Sequence, residues 1–121
     1  MYVLCTRMTS SARNPTKATG GCDIYSCETL KFEPGQRLLI NTGVSFKFPD
    51  GYYGTIVPSS YITLMKRLDV IADVLNFDDR YQVCICAQNN TNESINIEPG
   101  DKIARMLFCK ETPATLLNLR F

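Results

Sequence analysis

The sequence contains no histidine. Serine–histidine and cysteine–histidine nucleophilic systems are therefore excluded, because the base that would activate the nucleophile is missing. Six cysteines are present, yet none form a Cys-x-x-Cys pair, and without imidazole the short-spaced ligands of a zinc site are lacking too. Blocks of like charge are also absent. Thirteen basic and twelve acidic residues give a formal net charge of +1 and are mixed along the chain, which leaves no basic stripe to follow a nucleic-acid backbone. No apolar run approaches the ~20 residues needed to cross a bilayer, and the N-terminus lacks the charged, apolar, small-residue order of a secretory signal. These absences lead us to expect a soluble intracellular protein, cytoplasmic or nuclear, with no nucleic-acid partner and no membrane insertion.

What is present fits one compact domain over residues 1–121, since 121 residues with 45% hydrophobic content can bury one core but not two. The cysteines read as reduced thiols. Cys84 and Cys86 alternate within Val83-Cys84-Ile85-Cys86-Ala87, so strand geometry points both to one face and predicts small buried hydrophobes. Short apolar segments recur every eight to twelve residues between Gly, Pro, Asn and Asp clusters, the rhythm of an all-β sandwich or barrel. Strands are predicted at Tyr2 to Thr6, Cys22 to Ser26, Arg37 to Asn41, Val44 to Phe48, Tyr52 to Val57, Leu68 to Ile71, Gln82 to Ala87 and Lys102 to Phe108. Ser45 and Lys47, alternating with Val44, Phe46 and Phe48, mark a half-buried strand. Glu33-Pro34-Gly35, Pro49-Asp50-Gly51 and Glu98-Pro99-Gly100 carry turn chemistry. A helical turn is predicted only between Ser60 and Lys66. Two matches to the glycosylation sequon, at Asn89 and Asn92, read as polar hairpin residues. Tyr52, Tyr53, Tyr61 and Tyr81 read first as packing residues.

Four segments, in order and at matching separations, make the chain resemble the trimeric dUTPase family. Gly21-Cys22-Asp23-Ile24-Tyr25-Ser26 is similar to its opening motif of Ala-Gly-Tyr-Asp-Leu type. The stretch from Phe48 to Ser60 resembles the strand ending in a phosphate-contacting Arg-Ser-Gly. Leu68-Asp69-Val70 and Val74-Leu75 bracket the counterpart of its nucleoside-binding hairpin. Gly100-Asp101-Lys102-Ile103-Ala104-Arg105 resembles Gly-Asp-Arg-Ile-Ala-Gln. The resemblance implies a distorted jelly-roll subunit in a homotrimer that hydrolyses dUTP to dUMP and pyrophosphate with magnesium, at sites built where subunits meet.

Position by position, the resemblance also shows departures. In an ungapped register the hairpin aspartate that orients the attacking water falls on Asn76, and an amide cannot act as the base. The tyrosine that stacks on the deoxyribose falls on Asp79, and the flanking glycines fall on Asp73 and Tyr81. In the second motif the arginine is Ser59 and the glycine Tyr61, so that Ser60 alone survives. The fourth motif's glutamine is Arg105, a guanidinium in place of an amide. Asp23 stands where the family places an aspartate that helps position magnesium through water, and it reads equally as a surface turn residue. No glycine-rich closing arm is matched.

A second register, with two residues inserted before the hairpin, puts Phe77-Asp78 on the family's Ile-Asp pair and Tyr81 on the stacking tyrosine. It breaks the match at Val74-Leu75 and Arg80. At the C-terminus, Leu119-Arg120-Phe121 has the spacing read by one class of PDZ domains. The same residues also suit a terminal strand in which Leu117, Leu119 and Phe121 alternate into a neighbouring sheet. The pattern of loss resembles the adenoviral early-region adaptor proteins thought to descend from dUTPases. From sequence, then, the expectation is a trimer that no longer hydrolyses dUTP, holds no cofactor, keeps Ser60 and Arg105 as vestiges, and binds a PDZ-domain or signalling partner. The alternative is a divergent dUTP pyrophosphatase using Asp78, Tyr81 and magnesium.

Overall fold

A computed structural model describes residues 2–75 and 80–119. Among them run twelve strands: β1 (Leu4–Arg7), β2 (Thr16–Ala18), β3 (Gly21–Tyr25), β4 (Leu30–Phe32), β5 (Arg37–Asn41), β6 (Val44–Lys47), β7 (Tyr52–Pro58), β8 (Asp69–Val70), β9 (Asp73–Leu75), β10 (Cys84–Gln88), β11 (Ile95–Ile97) and β12 (Lys102–Lys110). A single π-helical turn, Tyr61–Met65, follows β7. The fold is all-β, of the expected jelly-roll type. No described helix is long and apolar enough to cross a membrane.

Every strand pairing is antiparallel. The largest sheet runs β2-β3-β12-β7-β9, and three smaller sheets, β5-β10-β8, β1-β6 and β11-β4, complete the layers. Their inner faces share one apolar cluster in which Ile24, Phe32, Ile40, Ile56, Ile62, Leu68, Ile85, Ile97, Ile103 and Met106 are almost wholly shielded from water. Fully burying a side chain of this size is worth roughly 1.5–3 kcal/mol, so this cluster outweighs any single polar contact described below.

The predicted strands are all found, within two residues at their ends. Strands β2, β4, β9 and β11 were not predicted, because three residues are too few to show alternation; their pairing partners define them. The three predicted turns close with i to i+3 hydrogen bonds, from Gln36 N to Glu33 O (3.0 Å), Tyr52 N to Pro49 O (3.2 Å) and Asp101 N to Glu98 O (3.1 Å). Gly21 has a different duty. A Cβ there would lie 1.7 Å from the Met106 carbonyl oxygen, so only glycine lets β3 lie against β12.

Three expectations need correction. Ser45, the cross-strand partner of Thr6 in β1, is buried, not solvent-facing. Cys84 and Cys86 do share a face, but it is the half-buried one. Ile85 and Ala87 take the core face, and Cys84 Sγ donates to Asn41 Oδ1 at 3.1 Å. All six cysteines are free thiols. Asn89 of the first sequon is fully buried. Its Nδ2 donates to Phe32 O (3.1 Å) and Glu93 O (2.7 Å), while Oδ1 accepts from Thr91 N and Oγ1.

Candidate functional site

Strand β12 lies between β3 and β7, and its register places three of the four motifs side by side. Arg105 is the direct partner of Asp23 on one flank and of Val57 on the other. The chain then leaves β7 through Pro58, Ser59 and Ser60 into the π-helical turn. A cleft of about 440 Å³ opens here, lined by Val57, Pro58, Ser59, Ser60, Thr63, Leu64 and Arg105. The second and fourth motifs therefore meet in one hollow, with the opening motif next to it.

The two serines do different things. Ser59 is buried; its Oγ donates to Lys102 O (2.9 Å) and accepts from Ile62 N (3.1 Å). That hydroxyl ties the turn to β12 and is spent. Ser60 is exposed, and although it precedes the turn its side chain makes no capping bond. Asp101 stabilises the approach to β12, accepting from Glu98 N (2.8 Å) and Tyr61 OH (3.3 Å) and facing Lys66 Nζ at 3.7 Å.

Asp23 is 7% exposed and meets two cations. Lys102 Nζ lies 3.2 Å from Oδ2, and Arg105 Nε 3.4 Å from Oδ1. In a regular strand residues three apart face opposite sides. Here a register shift between Lys102 and Ala104 inserts one extra residue, and such a bulge re-aims the side chains around it. Lys102 and Arg105 consequently converge on one carboxylate. Sequence reading missed this convergence, because the bulge leaves no mark in the alternation of Lys102-Ile103-Ala104-Arg105.

The remaining predicted positions are scattered. Asn76, Asp78 and Asp79 lie outside the described residues. Tyr81 is 67% exposed, with the Arg80 guanidinium carbon 5.6 Å from its ring centre, and it does not line the cleft of its own chain. Residues 111–119 form no strand, and Leu116, Leu117 and Leu119 are exposed; Arg120 and Phe121 lie outside the described residues. A second groove of about 390 Å³ is lined by Val3, Cys5, Cys22, Phe46 and Phe108 among others. Its thiols are poor nucleophiles. Burial raises that of Cys5, and burial, then the Cys5 thiol and the Asp23 charge, push Cys22 up to about 12, so both stay protonated near neutrality.

Could the described residues hold magnesium themselves? A magnesium ion keeps several waters and is usually held by one or two carboxylates together with substrate phosphates. Asp23 is the carboxylate beside the cleft, and both its oxygens already face cations. No described cluster of three or more metal-ligating side chains exists. The described donor set does not fit a protein-held magnesium.

Comparison with known proteins places this geometry in a family. The dUTPase family model matches residues 9–119. The deoxyuridine 5'-triphosphate nucleotidohydrolase of swinepox virus is 32% identical over 111 residues, covering 89% of this chain and 78% of that protein. Its fowlpox virus counterpart is 35% identical over 107 residues, covering 86% and 74%. Among solved structures, a mutant dUTPase of phage phi11 of S. aureus, described with a structural Mg(II) ion, superposes with a TM-score of 0.90 at 19% identity, covering 100% of this chain and 98% of that one. The Staphylococcus bacteriophage 80alpha dUTPase with dUPNHPP reaches 0.89 at 19% identity, covering 99% and 89%.

These findings overturn the expectation of an inactive adaptor. Relatives this similar over most of the chain carry the hydrolase name, and nothing among the described residues shows catalysis to be lost. Nor do these relatives support the likeness to adenoviral adaptors, a PDZ partner, or the absence of a cofactor. With its motifs in register around one cleft and a family match across residues 9–119, the chain belongs to the dUTPase family.

Proposed function

We propose that this protein is a dUTP pyrophosphatase acting inside the cell, adding water across the α–β phosphoanhydride to yield dUMP and pyrophosphate. The observation that carries the reading is the cleft shared by Ser59, Ser60 and Arg105, beside Asp23 in a chain of this family. Phosphates fit such a hollow because Ser60 offers a free hydroxyl donor. The nucleoside belongs at the hairpin that follows β9. There Asp78 takes the proton of the attacking water, as a carboxylate within hydrogen-bond reach can, and the exposed ring of Tyr81 stacks on the deoxyribose.

Because Tyr81 does not line the cleft of its own chain, the complete site draws the hairpin and the cleft together across subunits of a homotrimer. No step is assigned to magnesium, since the described residues do not hold one. Pyrophosphate release from dUTP, set against UTP and dTTP, tests the proposal. We expect turnover of dUTP that falls at least a hundredfold in Asp78→Asn. Absence of dUTP turnover by the wild-type chain would sink the reading.

A further inference from the structure

The cleft has lost a cation on one strand and gained one on its neighbour. In the pattern this family shows, the second motif brings an arginine where Ser59 stands, and the fourth brings a glutamine where Arg105 stands. Ser59 cannot substitute for the missing charge, for its hydroxyl is buried and committed to Lys102 O and Ile62 N. Arg105 is the one charged side chain among the residues lining the cleft. It sits opposite Val57, two residues before Ser59. Arg105 and the end of β7, Val57 to Ser60, line the same cleft.

We propose that Arg105 is the phosphate-binding cation of this protein, and that Asp23 is its positioning residue instead of a metal-placing one. The proposal rests on the dUTP pyrophosphatase reading for the identity of the ligand, though its binding test does not depend on turnover. Arg105 is tethered through Nε alone, 3.4 Å from Asp23 Oδ1. Its two terminal nitrogens make no hydrogen bond to the described residues. They carry four of the five donors of a guanidinium fork, the part suited to bidentate contact with a phosphate. The side chain is 43% exposed, so it is open to an incoming ligand yet held at its base.

The electrostatic sum has the right sign. One carboxylate, Asp23, faces two cations, Lys102 and Arg105, which leaves one positive charge at the cleft wall. The bulge at Ile103 creates the arrangement by turning both cations toward Asp23. Lys102 shares the load on the carboxylate, so Arg105 can turn toward a ligand without leaving Asp23 uncompensated.

Calorimetric titration of the full chain with inorganic pyrophosphate and, separately, with deoxyuridine tests this directly. Arg105→Gln restores the family's residue. It should weaken pyrophosphate binding by tenfold or more, leave deoxyuridine binding within about twofold, and raise KM for dUTP more than it lowers kcat. Arg105→Lys should fall between, and serves if the glutamine variant does not fold. Asp23→Asn separates anchoring from charge. Removing a negative charge would strengthen pyrophosphate binding if charge alone mattered, whereas loss of the tether weakens it, which is the result we expect.

Unchanged or tighter pyrophosphate binding in Arg105→Gln overturns the assignment of Arg105, and tighter binding in Asp23→Asn overturns that of Asp23. A wild-type chain that binds pyrophosphate through Arg105 but does not hydrolyse dUTP would leave this inference standing while defeating the enzymatic one. Turnover of dUTP with an unaltered KM in Arg105→Gln would do the reverse.

Discussion

Asn89 and Asp23 are both polar side chains held almost entirely out of water, at 0% and 7% exposure, yet they settle their hydrogen bonding in opposite ways. Asn89 closes on itself. Its amide and carbonyl are fully used by Phe32, Thr91 and Glu93, and together they clip the β10–β11 connection to β4. Asp23 passes its charge outward, to Lys102 and to Arg105, and Arg105 lines a cleft. A closed polar network specifies shape, because every buried donor has a partner and none is left for a ligand. An open one, with donor capacity left over, is equipped to bind.

Four substitutions would break or sharpen that contrast. Gly21→Ala has the largest expected effect. Its new Cβ would collide with the Met106 carbonyl and drive β3 off β12, so stability and the Asp23–Arg105 pair should fail together. A loss of more than about 4 kcal/mol is expected in chemical denaturation, at the extreme of single substitutions. Near-normal stability would show that the two strands tolerate separation.

Asn89→Leu comes next. It strands the Phe32 carbonyl and the Thr91 N–H, while Glu93 O keeps Thr91 Oγ1 at 3.1 Å, and each orphaned group costs about 1–3 kcal/mol. Denaturant melts should therefore show a loss of about 2–4 kcal/mol, with pyrophosphate binding unaltered. The converse pattern is expected of Arg105→Gln, since a half-exposed ion pair contributes only about 0–1 kcal/mol to folding. If Asn89→Leu also weakened pyrophosphate binding, the two networks would not be separable.

The smallest effect lies on the face of β3 turned toward the apolar groove. Cys22 has a thiol pushed up to about 12 in the folded chain, from an ordinary value of 9.0. A raised folded value means the native state holds the proton more tightly than the unfolded one. The contribution is thus fully present below about pH 9 and is lost as pH climbs toward 12. Cys22→Ala should lose less stability than wild type between pH 8 and pH 10.5 in urea titrations. Equal slopes would show that Cys22 does not titrate differently on unfolding.

Much of the fold was legible in advance because its signals are local. Short apolar segments between Gly, Pro, Asn and Asp clusters marked the two long strands, β7 and β12, and each Pro-Gly or Asp-Gly pair marked a turn that the structure closes. The candidate site was only half legible. Motif order identified Asp23, Ser60 and Arg105 as positions of interest, but it gave no sign that Lys102 and Arg105 share Asp23 or that Asn89, read as a polar hairpin residue, is buried. In both cases the missing information was which backbone groups lie across the sheet. Asn76, read as a lost base, lies outside the described residues.

By itself the amino-acid order determined the class of fold, the strands long enough to show a period, the turns, and the family pattern, all properties of residues close together in the chain. Only tertiary structure decided that Lys102 and Arg105 share one carboxylate and that Ser59 is spent on structure while Ser60 is free. Those outcomes depend on a bulge and a three-strand register. Both are fixed by the fit of β12 between β3 and β7, and no local run of residues encodes that fit.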